Sequence, residues 1–234
     1  MPFVKYVHYG NFVETDEFGQ VIRNFTSNDV AIGVSYGKSM WQDFKYGVNL
    51  KTIFSNALYT NSFGISTDYF LNYSKKPEVW GLGLAVKNVG FQLTPYESGN
   101  RYGLPINVQI TGSTQLAHAP FRLHGMYQYV NQFDIGVNPL VTESTNSLLG
   151  EPTQIDTTTN FGAKFMKHLV LGATFDPAKA FQVNIAYEYR RAVEASATQR
   201  GGFAGFSLGF RLRLKRMAFS YALYGNGTGI NANY

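Results

Sequence analysis

The residues of this sequence that could carry out chemistry are few and far apart. Its four histidines, His8, His118, His124 and His168, fall on different segments, and none stands at metal-ligand spacing from another. The chain has no cysteine, which excludes disulfides and thiolate metal sites. It contains neither a GxSxG nucleophile motif nor a glycine-rich phosphate loop between a strand and a helix. The sequence therefore predicts a protein without enzymatic activity, without a cofactor and without a bound metal.

The residues that could bind a partner are charged, aromatic or apolar side chains in polar segments of the chain. Leu148 and Leu149 form an apolar pair in the longest irregular segment, and a docking site needs such an anchor. Arg190 and Arg191 could face a partner or lipid phosphates; the alternative is that they are rim arginines that snorkel. For Asp16 and Glu17 the alternative to a binding role is that they lie in a solvated loop. The residues that we expect to contact a partner are Asp16, Glu17, Tyr96, Arg101, Leu148, Leu149, Arg190 and Arg191.

The elements that must position these side chains are strands. From Phe206 to Leu214 the even positions are Phe or Leu and the odd positions are Ser, Gly or Arg, which is the period of a strand with one apolar face. The pattern recurs along the chain and predicts about eleven strands of about ten residues, with no helix. At Asn88 the alternation changes phase, which predicts a β-bulge.

The predicted connections tend to alternate between long and short. Successive turns of an antiparallel sheet fall at opposite ends, so nearly all the long loops should share one end, as in transmembrane barrels. The short link near Thr60 is the exception. The long segments are 10–28, 94–103, 132–160 and 191–201, and the short ones are 38–43, 114–119, 176–179 and 215–216.

Composition favours lipid as the partner of the apolar faces. Charged residues make up 15% of the chain and aromatic residues 16%, and the 24 glycines fall largely on the polar side of the strands. No apolar run reaches the ~18 residues of a spanning helix, so strands would have to cross the membrane. The net charge of +5 is spread along the chain, which argues against nucleic-acid binding. We therefore expect an antiparallel up-and-down transmembrane β-barrel.

A soluble β-sandwich that acts as a binding module is the physical alternative, because two packed sheets could bury the apolar faces. The orientation of Phe206, Leu208 and Phe210 separates the two folds: these side chains point outward in a transmembrane barrel and into a dry core in a sandwich.

Several longer segments resemble one known family. In chain order they are YVHYGNFVETDEFGQ (Tyr6 to Gln20), VKNVGFQL with Pro95 and Tyr96, HAPFRL (His118 to Leu123), KHLVLGATF (Lys167 to Phe175), YEYRRAVE and GGFAGFSLGFRL. On these segments the chain resembles the PorV/PorQ family of outer-membrane proteins of Bacteroidetes.

The resemblance implies a FadL-like outer-membrane barrel of about fourteen strands. It also implies a non-enzymatic anchor in the type IX secretion system, in the complex that attaches secreted cargo to the cell surface, with PorZ, PorU and PorV as partners. A FadL-like channel for hydrophobic solutes is the alternative function. Family members carry a signal peptide and further N-terminal strands, and end in one more strand. We therefore expect residues 1–234 to form one incomplete barrel domain with a long extracellular loop at 132–160.

Overall fold

The computed structural model describes residues 1–57, 60–75, 79–96, 103–135, 161–178, 180–196, 203–214, 217–225 and 232–233. These residues form twelve strands and two short helices. The strands are β1 (Pro2–Thr15), β2 (Val21–Ser39), β3 (Phe44–Ala57), β4 (Thr60–Tyr73), β5 (Trp80–Thr94), β6 (Asn107–Gln115), β7 (Phe121–Tyr127), β8 (Leu169–Ala178), β9 (Phe181–Glu188), β10 (Phe206–Arg213), β11 (Ala218–Tyr224) and β12 (Ala232–Asn233). The helices are α1 (Phe161–Lys167) and α2 (Tyr189–Ser196).

The strands follow one another in the sheet in the order of the chain, from β1 to β12. Neighbouring strands are antiparallel, as in the β3–β4 pair, which runs from Phe44 opposite Tyr73 to Ala57 opposite Thr60. This is the up-and-down order of a barrel sheet whose first and last strands are its two edges. The predicted all-β fold with about eleven antiparallel strands is confirmed, and β12 adds a pair of residues to it.

The chain divides into two compact units. The first comprises Met1–Tyr73 and Leu84–Val108, and the second comprises Ser74–Gly83 and Gln109–Tyr234. The first unit contains β1 to β4 and most of β5. The second contains most of β6, all later strands and both helices. The expected single barrel domain over residues 1–234 stays a prediction.

Burial in this fold is the reverse of that in a soluble domain. Among the described residues, the buried apolar side chains are Ala85 and Ile135, whereas nine polar or charged side chains are buried. On β10, Phe206, Leu208 and Phe210 are 47%, 52% and 38% exposed. These apolar side chains therefore lie at the surface, which is the orientation expected of a barrel strand and not of a sandwich core.

The segment 10–28, which we predicted to be a long loop, is a β-hairpin. β1 continues to Thr15 and β2 begins at Val21, and Thr15 lies opposite Val21. The loop prediction was wrong because the alternation in this segment is broken by a register shift between His8 and Asn11. A bulge of this kind puts an extra residue into one strand, so the polarity pattern slips although the pairing continues.

Two segments differ from the predicted strands by forming helices. We predicted no helix and a long connection at 191–201, but β9 ends at Glu188 and α2 follows at once. Upstream of β8, Lys167 belongs to α1 and not to a strand. Both helices have fewer than nine residues, which is too short for a 3.6-residue period to emerge from the sequence.

The irregularity predicted at Asn88 is confirmed. Asn88 has φ of 62°, in the left-handed region that asparagine tolerates better than most residues. On β5 the exposed side chains stand at even positions before it, as at Leu82 and Leu84, and at odd positions after it, as at Phe91 and Leu93. The change of phase in the sequence therefore reflects a real exchange of the two faces.

Candidate functional site

The outward face of the first unit is an apolar surface built in register across the strands. Val30, Phe54 and Phe63 are direct cross-strand partners on β2, β3 and β4, so their side chains stand on one face. Two residues further along each strand, Ile32, Thr52 and Ile65 form the next row. Leu50, one row beyond, is 54% exposed. Exposed apolar side chains that continue over several strands mark an interaction surface for a protein or for lipid.

The opposite face of β4 is polar and buried. Ser62, Ser66 and Asp68 are all buried on it, and Gly64 lies among them. Gly64 and Gly90 are places where β4 and β5 approach closely, because a Cβ at Gly90 would collide with the backbone oxygen of Ile65. Small and polar side chains thus occupy the inner side, as in barrels whose interior is polar.

A buried ion pair crosses the inward face of the first unit. Lys51 Nζ lies 2.8 and 2.9 Å from the two carboxylate oxygens of Asp68, and it donates a 2.8 Å hydrogen bond to Asn88 Oδ1. The backbone N–H of Asn88 also donates to Asp68 Oδ1, at 2.8 Å. Three neighbouring strands are therefore joined by one set of charge-assisted hydrogen bonds, at the residue where β5 is irregular.

The second unit shows the same separation of faces. Leu208 on β10 lies opposite Ile185 on β9 and Leu223 on β11, and all three are exposed. On the other face, Thr174 Oγ1 donates to Asn184 Oδ1 at 2.7 Å and lies 2.8 Å from His124 Nε2. These contacts join β7, β8 and β9 on this face.

Aromatic pairs stand at both ends of the outward face of the first unit. At the end of the β2–β3 turn, the ring centroids of Trp41 and Phe44 are 5.7 Å apart, and those of Phe44 and Tyr73 are 4.7 Å apart. At the other end, the rings of Phe54 and Phe63 are 4.7 Å apart. Aromatic girdles on either side of an apolar band are typical of membrane barrels, because amphipathic and polarisable rings favour the interface.

Asp16 and Glu17, two of the residues expected to bind a partner, lie in the turn between β1 and β2. Asp16 Oδ1 accepts hydrogen bonds from the backbone N–H groups of Phe18 at 2.9 Å and Gln20 at 2.7 Å. The carboxylate therefore closes the turn, while Glu17 is exposed. Phe18, at the tip of the turn, is 87% exposed and was not among the predicted contacts.

Tyr96, the third predicted contact, is tied to the sheet of the first unit. Its hydroxyl donates to Ser55 Oγ, which in turn donates to Asp29. Asp29 also accepts a 2.6 Å hydrogen bond from the hydroxyl of Tyr9. Tyr96 thus fastens the start of the β5–β6 connection to β3. Whether it also contacts a partner stays a prediction.

Arg190 and Arg191 both contact a carboxylate of the same chain, and their contact with a partner stays a prediction. Glu188 lies 2.6 Å from Arg191 Nε and 3.3 Å from Arg190 Nη2. The guanidinium of Arg190 lies over the ring of Tyr129 and that of Arg191 over Tyr224, with 5.2 and 4.0 Å to the centroids. These contacts hold α2 against the ends of the strands of the second unit. Arg101, Leu148 and Leu149 lie outside the described residues.

His168 is the most buried of the histidines that the structure describes. Its Nδ1 lies 2.7 Å from the carbonyl oxygen of Gln128 and its Nε2 lies 3.0 Å from that of Phe133. Its ring stacks on Tyr127, with centroids 4.8 Å apart. Within the described ranges, no three His, Cys, Asp or Glu side chains come together in a way that could hold a metal ion.

One group of residues was missed by sequence reasoning. His8, Asn28, Asn56 and Asn61 are direct cross-strand partners on β1 to β4, and they form a single polar row on the outward face. Each appears in the sequence as an ordinary polar residue near the end of a strand. Only the register aligns them, so the sequence carries no signal for the row.

Neither helix in the described part of the chain is long and apolar enough to cross a membrane. A comparison with protein-family models finds no match, and neither does a comparison with curated proteins. The all-β fold and its exposed apolar face are compatible with an outer-membrane protein.

Proposed function

We propose that this protein is a barrel of the bacterial outer membrane that anchors a cell-surface protein. The observation that carries the membrane assignment is the inverted burial. Apolar side chains such as Leu50 and Leu208 are exposed on strands of both units, while Ser66 and Asp68 are buried. In water this arrangement would expose a large apolar surface and bury charge, both of which are unfavourable. Against acyl chains the same arrangement is favourable, because the apolar face contacts lipid and the polar face stays inside the barrel.

The resemblance of six segments of the sequence to the PorV/PorQ family supports the anchoring role. In that family PorQ holds PorZ in the attachment complex of the type IX secretion system, together with PorU and PorV. This protein would act in the same way, without catalysis and without a cofactor. The connections that follow β7 and β9 leave the sheet at one end of the second unit, because both strands run in the same direction. A surface partner would dock at this end.

The experiment that tests both parts deletes Asn146 to Glu151, the segment that carries Leu148 and Leu149, from the natural full-length protein. We expect the barrel to remain in the outer-membrane fraction and to keep heat-modifiable migration on gels. Co-purification of the surface partner should be lost, because an apolar anchor is removed. A deletion of Ala117 and His118 in the short turn between β6 and β7, at the opposite end of the strands, serves as the control.

Two results would contradict the proposal. Unchanged co-purification would remove this segment from the docking site. Recovery of the intact protein in the soluble fraction, without detergent, would remove the membrane assignment itself.

A further inference from the structure

A row of polar side chains crosses the outward face of the first unit from β1 to β4. His8 Nδ1 lies 2.6 Å from Asn28 Oδ1, which also accepts a 2.8 Å hydrogen bond from the hydroxyl of Tyr6. Asn56 Nδ2 donates to Asn61 Oδ1 at 2.8 Å. We call His8, Asn28, Asn56 and Asn61 the amide row. It carries three amides and an imidazole, and no carboxylate.

Polarity changes abruptly on one side of the amide row. The next cross-strand row on the same face is Tyr6, Val30, Phe54 and Phe63. A groove of about 360 Å³ spans the part of the two rows that lies on β2, β3 and β4. The groove is apolar over most of its lining, and the side chains along one edge are amides. A ligand that fits it would therefore have an apolar part and a polar end. It is lined by Asn28, Val30, Phe54, Ser55, Asn56, Asn61, Ser62, Phe63 and Thr94.

On the other side of the amide row, β1 and β2 continue as a pair beyond the ends of β3 and β4. β3 ends at Ala57 and β4 begins at Thr60, whereas β1 and β2 remain paired as far as Thr15 and Val21. Gly10 has φ of 106° at the register shift that follows His8, a backbone conformation that glycine adopts without strain. Residues 9–27 therefore form a two-stranded arm that begins at the amide row. Its charged pair, Glu14 and Arg23, lies 2.8 Å apart.

The distance from the amide row to the far aromatic cluster fits a membrane. Along β3, Phe44 belongs to the far cluster and Phe54 lies directly below the row. The ten steps between them, at about 3.3 Å per residue and about 40° of tilt, cover about 25 Å along the membrane normal. This is about the height of the apolar band of outer-membrane barrels.

We propose that the amide row marks the level at which hydrocarbon gives way to lipid headgroups, and that the groove beside it binds one membrane lipid. The proposal rests on the function proposed above. The acyl chain lies against Val30, Phe54 and Phe63, and the side-chain amides of Asn56 and Asn61 donate hydrogen bonds to ester or phosphate oxygens. An amide row suits this task because it supplies donors without a negative charge that would repel phosphate. The arm of residues 9–27 then stands in water.

Single cysteines test the level of the boundary, because this chain has no cysteine of its own. In the full-length protein, reconstituted into vesicles of phosphatidylethanolamine and phosphatidylglycerol, a water-soluble maleimide should label Val13→Cys and Thr26→Cys on the arm. It should label Ile32→Cys and Leu50→Cys on the apolar face at least about tenfold more slowly, since lipid excludes the reagent.

The outcomes separate this inference from the proposed function. Fast labelling at Ile32→Cys and Leu50→Cys would overturn the membrane assignment and the inference together. Slow labelling at all four positions would place the arm inside the membrane, which overturns the amide row as a boundary and leaves the membrane assignment intact.

Lipid retention tests the groove separately. The double variant Asn56→Ala and Asn61→Ala removes the amide donors at positions that are exposed, so heat-modifiable folding should be kept. Native mass spectrometry of the detergent-solubilised variant should show a several-fold loss of bound phospholipid relative to the unmodified protein. Asn24→Ala, which removes an amide from the arm, is the matched control and should retain the lipid. Equal retention in the folded double variant would overturn the lipid site.

Discussion

Lys51 and Asp68 occupy the inward face of neighbouring strands, where the side chains keep only 14% and 7% of their exposure. Taking two charges out of water is costly, and the cost is offset here by the short contacts between them and by the hydrogen bonds to Asn88. Arg191 and Glu188 make a similar pair in the second unit. At the residue scale, these two ion pairs therefore connect strands to each other and a helix to a strand.

The ion pair gives the first prediction at this scale. Asp68→Ala leaves the Lys51 ammonium buried without its carboxylate, so the free energy of unfolding should fall by about 3–5 kcal/mol. Combining it with Lys51→Met should restore much of the loss, because the Lys51 ammonium is then no longer left without its carboxylate. Urea titration of the protein folded in phospholipid vesicles measures both values. Additive losses in the double variant would contradict the coupling.

At the scale of elements, the strands of the β1–β2 hairpin are longer than a strand that crosses a membrane needs to be. β2 has nineteen residues, about twice the ten or so that cross a bilayer. An isolated two-stranded ribbon is marginally stable in water, so the arm needs side-chain contacts of its own to stabilise it. It has a stacked pair, Phe12 and Phe25, with centroids 5.2 Å apart, and a turn closed by Asp16.

The turn supplies the second prediction. Asp16→Ala removes the acceptor of two backbone N–H groups and should destabilise the arm by about 1 kcal/mol. Amide exchange in residues 11–27 should become about fivefold faster, while exchange in β4 stays unchanged, because the arm lies beyond the end of that strand. Asp16→Asn keeps an acceptor oxygen and should largely restore protection. Equal exchange rates for the two variants would show that the side-chain acceptor does not hold the turn.

For the whole molecule, the decisive property is which face of the strands meets the surroundings. Exposed leucines on a soluble protein tolerate charge, since surface substitutions usually change stability by less than about 0.5 kcal/mol. The same leucines on a lipid-facing surface do not, because arginine at the bilayer midplane costs about 2–4 kcal/mol. Leu50 lies near the middle of the apolar stretch of β3, between Phe44 and Phe54. It is therefore the position where the two environments differ most.

The third prediction compares two residues of similar exposure. Leu50 is 54% exposed on the apolar face and Val21 is 62% exposed on the arm. Leu50→Arg should lower the free energy of unfolding in vesicles by about 2–4 kcal/mol, whereas Val21→Arg should change it by less than about 0.5 kcal/mol. Urea titration in the same vesicles gives both values. A negligible effect at Leu50 would indicate that this face is in water.

The alternation of residues by itself predicted most of the strands, their approximate number and which side chains share a face, because side chains alternate strictly along a strand. It even located the exchange of faces at Asn88, since one extra residue inverts the pattern that follows. The register was decided only by the tertiary structure, because it depends on how each strand is offset against its neighbour. Register is what aligns the amide row, extends the hairpin beyond the predicted loop boundary, and brings Lys51 to Asp68 across seventeen residues of chain.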